Sequence, residues 1–222
     1  MTLAQQIADR RFPVLVSLPK NDLDLAHAAL AGGADGIKVH LNAHHRASGT
    51  VFGNFSSERD FLKKLSALPT SKFVMIGQEE LPSREELLEL KEMGFEGFNL
   101  YQKHVLPYVF ESGMRPILAL EHGFHHTHIT AITQYRDAWI EASTVDPSHY
   151  GKKITAEDFA NYTQISALSQ RPVIVPSQKK IEIEDLPALR KTGVAALLLG
   201  VIVLGATAES IEQTVSRFVK AL

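Results

Sequence analysis

Short apolar runs alternate with amphipathic stretches along the whole chain. A strand buried on both faces is a near-continuous run of Val, Ile and Leu, and a surface helix repeats its apolar residues with the helical period. Eight apolar runs bounded by turn residues predict strands at positions 13–18, 36–41, 73–77, 97–100, 116–120, 138–143, 172–175 and 195–199. Amphipathic stretches between them predict helices, among them 23–31, 58–68, 84–93 and 156–169.

The order of these elements predicts an α/β fold. Strand and helix alternate, and each helical crossover returns the chain to the same end of the sheet, so the strands are parallel. Eight such units in 222 residues favour one closed (β/α)8 barrel, a TIM barrel, with residues 1–222 as a single domain. An open, doubly wound sheet is the alternative.

The connections differ in length at the two ends of the predicted barrel. The joints from helix to strand are short and contain glycines that suit helix C-caps, such as Gly94 and Gly193. The joints from strand to helix are long at 42–57, 121–130 and 144–155. Barrel active sites lie at the carboxyl ends of the strands, and long ordered loops are usually functional. We therefore expect the functional site at this end.

Composition narrows the class of protein. Hydrophobic residues make up 45% of the chain, and the net charge of -2 comes without a block of Lys or Arg, so we expect neither nucleic acid nor a membrane as a partner. The absence of cysteine excludes disulfides and thiolate chemistry. Residues 1–12 lack the apolar core of a signal peptide, and the longest apolar run, 194–204, is too short to span a bilayer. We therefore expect a cytoplasmic protein.

The second predicted strand places polar groups inside the barrel. Lys38, His40 and Asn42 share one face of this strand, and the apolar residues at 37, 39 and 41 share the face that packs on helices. A lysine and a histidine inside a barrel are costly unless they are paired or solvated. We therefore interpret Lys38 and His40 as catalytic acid–base candidates and Asn42 as a substrate contact. The alternative is an internal ion pair that only fills the barrel.

Carboxylates on two further strands are candidates for the same interior. Glu141 points inward, because the residues on either side of it are apolar and suit the side that faces the helices. The face of Glu121 is ambiguous, because it points inward only if Ala119 does, and the leucines on either side of Ala119 suit both faces. We predict that both carboxylates are catalytic, and the alternative for Glu141 is a purely structural pair with Lys38.

Polar and histidine residues at the other strand ends are candidates for contacts to substrate hydroxyls. These candidates are Gln78, Asn99, Tyr101 and His122. A metal site would combine imidazoles with a carboxylate such as Glu121, but the spacing of His122, His125, His126 and His128 matches no defined metal motif. We therefore predict no cofactor, and a divalent metal is the less favoured alternative.

A phosphate in a barrel is typically held by backbone N–H groups in the loops after strands 7 and 8. The residues at these positions are Ser177, Gln178, Lys179, Gly200 and Val201. Glycine lets the backbone approach an anion closely, and the lysine adds charge. The sequence therefore predicts a phosphate site, with a solvated lysine and a glycine that only relieves crowding as the alternative.

The last quarter of the chain runs in the order strand, helix, Gly, strand, Gly, and resembles the final two units of ribulose-phosphate-binding barrels. Residues 13–42 are similar to the opening of N-acylglucosamine-6-phosphate 2-epimerases, with a Val-Ser strand end, an alanine-rich helix, a Gly-Gly-Ala turn and a Gly-Ile-basic strand. That family usually has a lysine on strand 3 and a carboxylate after strand 7, where this chain has Gln78 and Ser177-Gln178. The resemblance therefore implies the fold and a phosphorylated substrate, and does not carry over the epimerase activity.

Three functions are consistent with these predictions. The first is an epimerase or isomerase that moves a proton next to a carbonyl of a small phosphorylated sugar or related metabolite. The second is an aldolase or lyase, either with Lys38 as a Schiff-base amine or dependent on a metal. The third is a barrel that binds a phosphorylated metabolite without turnover. Barrels of this size often form homodimers, which is a further expectation.

Overall fold

A computed structural model describes residues 2–9 and 11–222, and within them the chain forms a closed barrel of eight parallel strands. We number only these barrel strands. They are β1 (Val14–Ser17), β2 (Gly36–His40), β3 (Ser71–Met75), β4 (Gly97–Tyr101), β5 (Arg115–Glu121), β6 (Trp139–Ser143), β7 (Val173–Pro176) and β8 (Ala196–Leu199). Each strand pairs in parallel with its sequence neighbours, and β1 pairs with β8 to close the ring. The predicted (β/α)8 barrel is thus confirmed.

Helices precede β1, connect the strands and follow β8. They are α1 (Leu3–Ala8), α2 (Leu23–Ala31), α3 (Phe55–Ser66), α4 (Arg84–Glu92), α5 (His126–Thr133), α6 (Ala156–Ser169), α7 (Leu186–Lys191), α8 (Val201–Leu204) and α9 (Ala208–Lys220). Short 3-10 turns occur at Gln102–His104, Pro107–Ser112, Pro147–His149 and Ile183–Asp185. No helix in the described part of the chain combines the length and the apolar character needed to cross a bilayer.

The loop after β2 forms a small antiparallel hairpin between His44–His45 and Thr50–Val51. We call residues 44–51 the mouth hairpin. Its ends are tied by hydrogen bonds from Asn42 N to Gly53 O and from Phe52 N to Ala43 O, both 2.8 Å long. The long loop predicted at this position is therefore an ordered element beside the carboxyl ends of the strands.

The amino-terminal half of the barrel interior is an apolar plug. Leu15, Phe73, Ile117 and Trp139 pack together there, and Leu3 of α1 closes the cluster from below. The strands make room for Phe73 with Gly97, because a Cβ at Gly97 would lie 3.1 Å from Phe73 Cδ1. Apolar side chains fill this half of the interior, and the buried charged side chains of Lys38 and Glu141 lie towards the carboxyl-terminal half.

Two predicted strand boundaries shift in ways that matter for the site. β3 begins at Ser71 and ends at Met75, two residues before the predicted end. The chain then turns at Gly77, which has a φ of 112°, a value that favours glycine. β2 ends at His40, and Asn42 has a φ of 48° in the left-handed region. Both strands therefore end before their predicted last residues, and the chain bends away from the barrel axis.

Candidate functional site

A cavity of about 600 Å³ opens at the carboxyl ends of the barrel strands. Its walls come from every barrel strand end, from the mouth hairpin and from the loops after β3, β6 and β8. The predicted site residues that line this cavity are Lys38, His40, Gln78, Asn99, Tyr101, Glu121, His122, Glu141, Ser177, Gln178, Gly200 and Val201. The functional end predicted from loop lengths is thus the end that carries the cavity.

The floor of the cavity is an ion pair between β2 and β6. Lys38 Nζ lies 2.7 Å from Glu141 Oε2, and the two side chains are 8% and 6% exposed. The other carboxylate oxygen, Oε1, accepts a 2.9 Å hydrogen bond from Ser143 Oγ. A lysine ammonium has three N–H donors, so two of them remain for a bound molecule. The alternation of side chains along β2 and β6 brings these two charges together across the barrel, as the sequence predicted.

His40 lies two residues after Lys38 on β2, closer to the carboxyl end of the strand, and is almost fully buried. Its ring stacks on Phe52 at 4.6 Å between centroids, and its Nε2 lies 3.4 Å from Ser17 Oγ. Its Nδ1 is buried and has no hydrogen-bond partner among the described residues. Burial, followed by the charges of Lys38 and His45, lowers the pKa of His40 well below its ordinary value. At neutral pH the imidazole is therefore uncharged.

His45 of the mouth hairpin covers His40 from the solvent side. The two ring centroids lie 4.8 Å apart, and His45 Nδ1 lies 2.8 Å from Ser48 Oγ. Burial, with a smaller contribution from the charge of Lys38, lowers the pKa of His45 to about 4. Two neutral imidazoles thus lie above a charged pair, which leaves Lys38 as the cation closest to the barrel axis.

Two tyrosines form part of the cavity wall. Tyr101 ends β4, and burial raises the pKa of its hydroxyl well above the usual value. Tyr150, in the loop after β6, accepts a 2.7 Å hydrogen bond from Gln178 Nε2, and burial raises its pKa as well. Gln178 Oε1 in turn accepts from the backbone N–H of Val145 at 3.1 Å. Both phenols therefore stay protonated at neutral pH and can donate a hydrogen bond to a ligand.

The loops after β7 and β8 are joined by a hydrogen bond of 2.7 Å from Gly200 N to Ser177 Oγ. Gly200 is followed directly by α8, whose first residues, Val201 and Ile202, also line the cavity. Gly200 itself has an ordinary extended backbone, and a Cβ there would lie 3.7 Å from Ser177 Oγ. Ser177, Gln178, Gly200 and Val201 therefore line one part of the cavity wall, and the Gly200 N–H is already bonded within the protein.

Lys179 does not belong to this wall, in contrast to the prediction. Its side chain is buried, and its Nζ lies 3.4 Å from Asp158 Oδ2. Asp158 also accepts hydrogen bonds from Thr155 at the start of α6, so it is a fixed carboxylate behind the barrel wall. The chain turns sharply after β7, with Gln178 N bonded to Pro176 O at 2.8 Å. This turn directs Gln178 into the cavity and leaves Lys179 to pair with α6.

Asn42 is the second predicted residue that does not line the cavity. Its left-handed backbone takes it off the face shared by Lys38 and His40, and it approaches Gly77 instead. Asn99 does line the cavity and is buried, and its Nδ2 donates to Ile117 O at 3.0 Å. Gln78 lies in the loop after β3 and lines the cavity from there.

The face of β5 is settled by the packing of its leucines. Leu118 and Leu120 belong to the layer between strands and helices, so the opposite face of β5, which carries Ile117, points into the barrel. Glu121 therefore points to the cavity rim, where it is 46% exposed and pairs with Lys103 at 2.6 Å. His122 also lies on the rim, with Nε2 at 3.3 Å from Asp146 Oδ2. Neither rim residue contacts the Lys38–Glu141 pair.

His125 and His128, in the loop after β5 and the first turn of α5, have a local structural role. His125 caps α5, with its Nδ1 accepting from Thr127 N at 3.3 Å, and its own N–H donates to His128 Nδ1 at 3.2 Å. Over residues 2–9 and 11–222, no three His, Asp or Glu side chains are grouped so that they could hold a metal ion.

Several residues that line the cavity were not among the site residues predicted from the sequence. Ser143 and Tyr150 lie at the end of β6 and in the loop after it, and Arg46 lies at the turn of the mouth hairpin. The period-two pattern of β6 places Ser143 on the face of Glu141, which is a signal that could have found it. Tyr150 and Arg46 are in loops, where no periodicity indicates direction.

Comparisons with known proteins support the fold. No protein-family model matches the chain. No curated protein matches it either. The tryptophan synthase A-subunit of Pyrococcus furiosus is similar in structure, with a TM-score of 0.71, 13% identity and coverage of 94% of this chain and 97% of that one.

Two further solved structures are similar over nearly their whole length. Thiamine phosphate pyrophosphorylase of Pyrococcus furiosus has a TM-score of 0.65 and 13% identity, with 96% of each chain covered. Phosphoribosyl anthranilate isomerase from Thermus thermophilus has a TM-score of 0.64 and 16% identity, with 95% of this chain and 98% of that chain covered. At such identities the likeness shows a shared barrel fold and nothing finer.

Proposed function

We propose that this protein is an enzyme that moves a proton next to a carbonyl of a small phosphorylated sugar or related metabolite, as an isomerase or epimerase. The observation that carries the proposal is the buried Lys38–Glu141 pair at the floor of an open cavity at the carboxyl end of the barrel. Burying two charges is expensive, and such a pair adds little net stability compared with apolar residues of the same size. A catalytic role of the two side chains would explain why this costly pair lies at the cavity floor.

The geometry of the pair supports proton transfer. A substrate carbonyl oxygen at the floor would accept one of the two free N–H donors of Lys38, which stabilises the negative charge that develops on that oxygen. The Glu141 carboxylate beside it would take the proton from the neighbouring carbon. The proton on Glu141 exchanges with solvent. Isomerisation then needs delivery of a proton to the former carbonyl carbon, a proton gained by the carbonyl oxygen and a proton lost by the neighbouring hydroxyl, whereas delivery of a proton to the opposite face of the first carbon gives epimerisation. His40 and Tyr101 are the candidates for the second proton donor.

A phosphate on the substrate is supported by two lines of reasoning. Ser177, Gln178 and the backbone of Gly200 and Val201 line the wall on which barrels of this type hold phosphate. Two of the similar structures have names that contain a phosphorylated compound, and one of these is named an isomerase. We therefore also propose that the chain belongs among the ribulose-phosphate-binding barrels, with the N-acylglucosamine-6-phosphate epimerases as one branch to test.

The second candidate is a lyase that forms a Schiff base with Lys38. Glu141 at 2.7 Å is placed to accept the ammonium proton and free the amine. Borohydride reduction during incubation with substrate would trap such an adduct on Lys38, and mass spectrometry would locate it. An isomerase that uses proton transfer alone gives no such adduct.

The proposal is tested by incubating the protein with a panel of aldose and ketose phosphates, including N-acylhexosamine 6-phosphates, and following conversion by NMR. The Lys38→Met variant should lose turnover of the active panel member. The matched control is Lys72→Met, which removes another buried lysine of the barrel that does not line the cavity. A protein that binds a sugar phosphate tightly, turns over none, and keeps its affinity in Lys38→Met would be a binding protein and would overturn the proposal.

A further inference from the structure

Three cations line the cavity, and two of them are already neutralised by carboxylates. Lys38 pairs with Glu141 at the floor, and Lys103 pairs with Glu121 at the rim. The third is Arg46, which makes no hydrogen bond or ion pair with any residue in the described part of the chain. Arg46 is therefore the cavity cation whose charge is not balanced by a carboxylate, so it is available to bind an anionic ligand.

The loops on the predicted phosphate wall provide no free cation of their own. Lys179 is buried against Asp158, and Lys180 is 58% exposed, lies 3.5 Å from Glu182 and does not line the cavity. The wall thus offers hydroxyl and backbone groups without positive charge. A phosphate dianion bound there needs a cation from another part of the mouth.

The mouth hairpin holds Arg46 in position over the cavity. Arg46 lies in the turn, where Gly49 N donates to His45 O at 2.9 Å and Ser48 Oγ lies 2.8 Å from His45 Nδ1. Thr50 Oγ1 anchors the returning strand of the hairpin to Pro19 O, after β1, at 2.8 Å. A guanidinium on such a fixed turn loses less freedom on binding than one on a mobile loop.

Arg46 lines the same cavity as Tyr101 and Tyr150. Its positive charge partly opposes the upward shift in the pKa of Tyr101 and of Tyr150, so its field reaches both hydroxyls. Tyr150 is bonded to Gln178, which is next to Ser177, the partner of Gly200 N. Arg46 and the predicted phosphate wall thus line one cavity, with Tyr150 and Gln178 as a hydrogen-bonded pair in it.

We propose that Arg46 binds the phosphate of the substrate from the mouth hairpin, together with the polar groups of Gln178, Tyr150 and the start of α8, which line the same cavity. This inference rests on the proposed function, because it assigns the charge that recognises the phosphorylated substrate. The guanidinium can offer two parallel N–H donors to phosphate oxygens, a geometry that lysine cannot reproduce. The one unpaired carboxylate among the described cavity residues, Glu79 after β3, would oppose the same anion.

The test measures binding of inorganic phosphate and of N-acetylglucosamine 6-phosphate by calorimetry, with N-acetylglucosamine as the uncharged partner. Arg46→Gln should weaken binding of both phosphorylated probes by about 10- to 100-fold, the usual worth of a hydrogen bond to a charged group, and leave the uncharged sugar unaffected. Arg46→Lys should recover only part of the loss. Lys180→Gln, which removes one nearby positive charge outside the cavity, is the matched control and should change binding by less than about twofold. Glu79→Gln should tighten binding slightly.

The outcomes separate this inference from the function on which it rests. If the wild-type protein prefers phosphorylated probes and Arg46→Gln keeps that preference, the role of Arg46 is wrong and the proposed function stands. If the wild-type protein binds neither inorganic phosphate nor any phosphorylated sugar of the panel better than the uncharged sugar, both are overturned. If Lys180→Gln weakens binding as much as Arg46→Gln, the effect is one of net charge and the assignment of Arg46 fails. Melting temperatures of all variants check that each is folded.

Discussion

Removing Lys38 alone should destabilise the protein strongly, because it leaves a buried carboxylate without its counter-ion. Glu141 is 6% exposed, and without Lys38 the hydrogen-bond partner it keeps among the described residues is Ser143 at 2.9 Å. Breaking a buried pair from one side typically costs about 3–5 kcal/mol. A protein of this size loses about 2–4 °C in melting temperature per kcal/mol, so Lys38→Met should melt roughly 6–20 °C lower.

Removing both charges should have a much smaller effect on stability. Replacing a buried ion pair by apolar residues of similar volume is often neutral or stabilising, so Lys38→Met/Glu141→Met should melt close to the wild-type temperature. Both variants should nevertheless be inactive, because the groups that would move the proton are gone. Urea denaturation followed by circular dichroism gives the stabilities, and NMR conversion assays give the activities.

The same pair of variants provides the result that would refute this reasoning. A loss of less than about 1 kcal/mol in Lys38→Met would show that water from the cavity solvates Glu141 and that the pair is not truly buried. A double variant that still turns over substrate would show that the pair only fills the barrel. Lys72→Met, at the opposite end of the barrel, should leave activity unchanged in either case.

Three further predictions concern acid stability, core packing and the mouth hairpin. Unfolding free energy should fall as the pH drops from about 7 towards 4, because the unfolded chain binds protons that folded His40 (pKa well below its ordinary value) and folded His45 (pKa about 4) do not. His45 contributes about 3 kcal/mol of this fall, and His45→Gln should remove that share from the urea-derived profile. Gly97→Ala should lose about 1–3 kcal/mol of unfolding free energy, because the added Cβ would lie 2.8 Å from Arg115 O. Gly200→Ala is the control and should melt like the wild type, because its Cβ would have its nearest neighbour at 3.7 Å. Equal melting points of the two variants would contradict the packing argument. Thr50→Val should speed hydrogen exchange across the mouth hairpin without lowering the global melting temperature, and unchanged exchange would show that the bond to Pro19 does not hold the hairpin.

The barrel, and the end of it that carries the cavity, were predictable from the sequence because both depend on regular patterns. Alternation with period two fixed the inward face of β2 and β6, so the meeting of Lys38 and Glu141 followed from parity. The same rule could not decide which face of β5 points into the barrel, because alanine and leucine suit either face. The structure answers this question, because Leu118 and Leu120 are buried in the layer between the strands and the helices.

The errors fell where a strand ends, because alternation no longer constrains direction there. Asn42 would face the cavity if β2 continued, but the left-handed backbone ends the pattern. Lys179 and Lys180 are adjacent, and the sequence held no sign that the first pairs with Asp158 on α6, 21 positions away. The two-residue strands of the mouth hairpin are too short to show any period, and only the Ser48-Gly49 turn dipeptide marked them.

The most direct test of the central claim is exchange of substrate carbon-bound hydrogen with solvent. The sugar phosphate panel would be incubated in D2O with wild-type protein, Lys38→Met and Lys72→Met, and deuterium at the carbon next to the carbonyl followed by proton NMR and mass spectrometry. The account predicts incorporation of one deuterium into one panel member with wild-type protein and Lys72→Met, and none with Lys38→Met. A panel member that binds in the cavity and shows no incorporation with any variant, or equal incorporation with Lys38→Met, would contradict it.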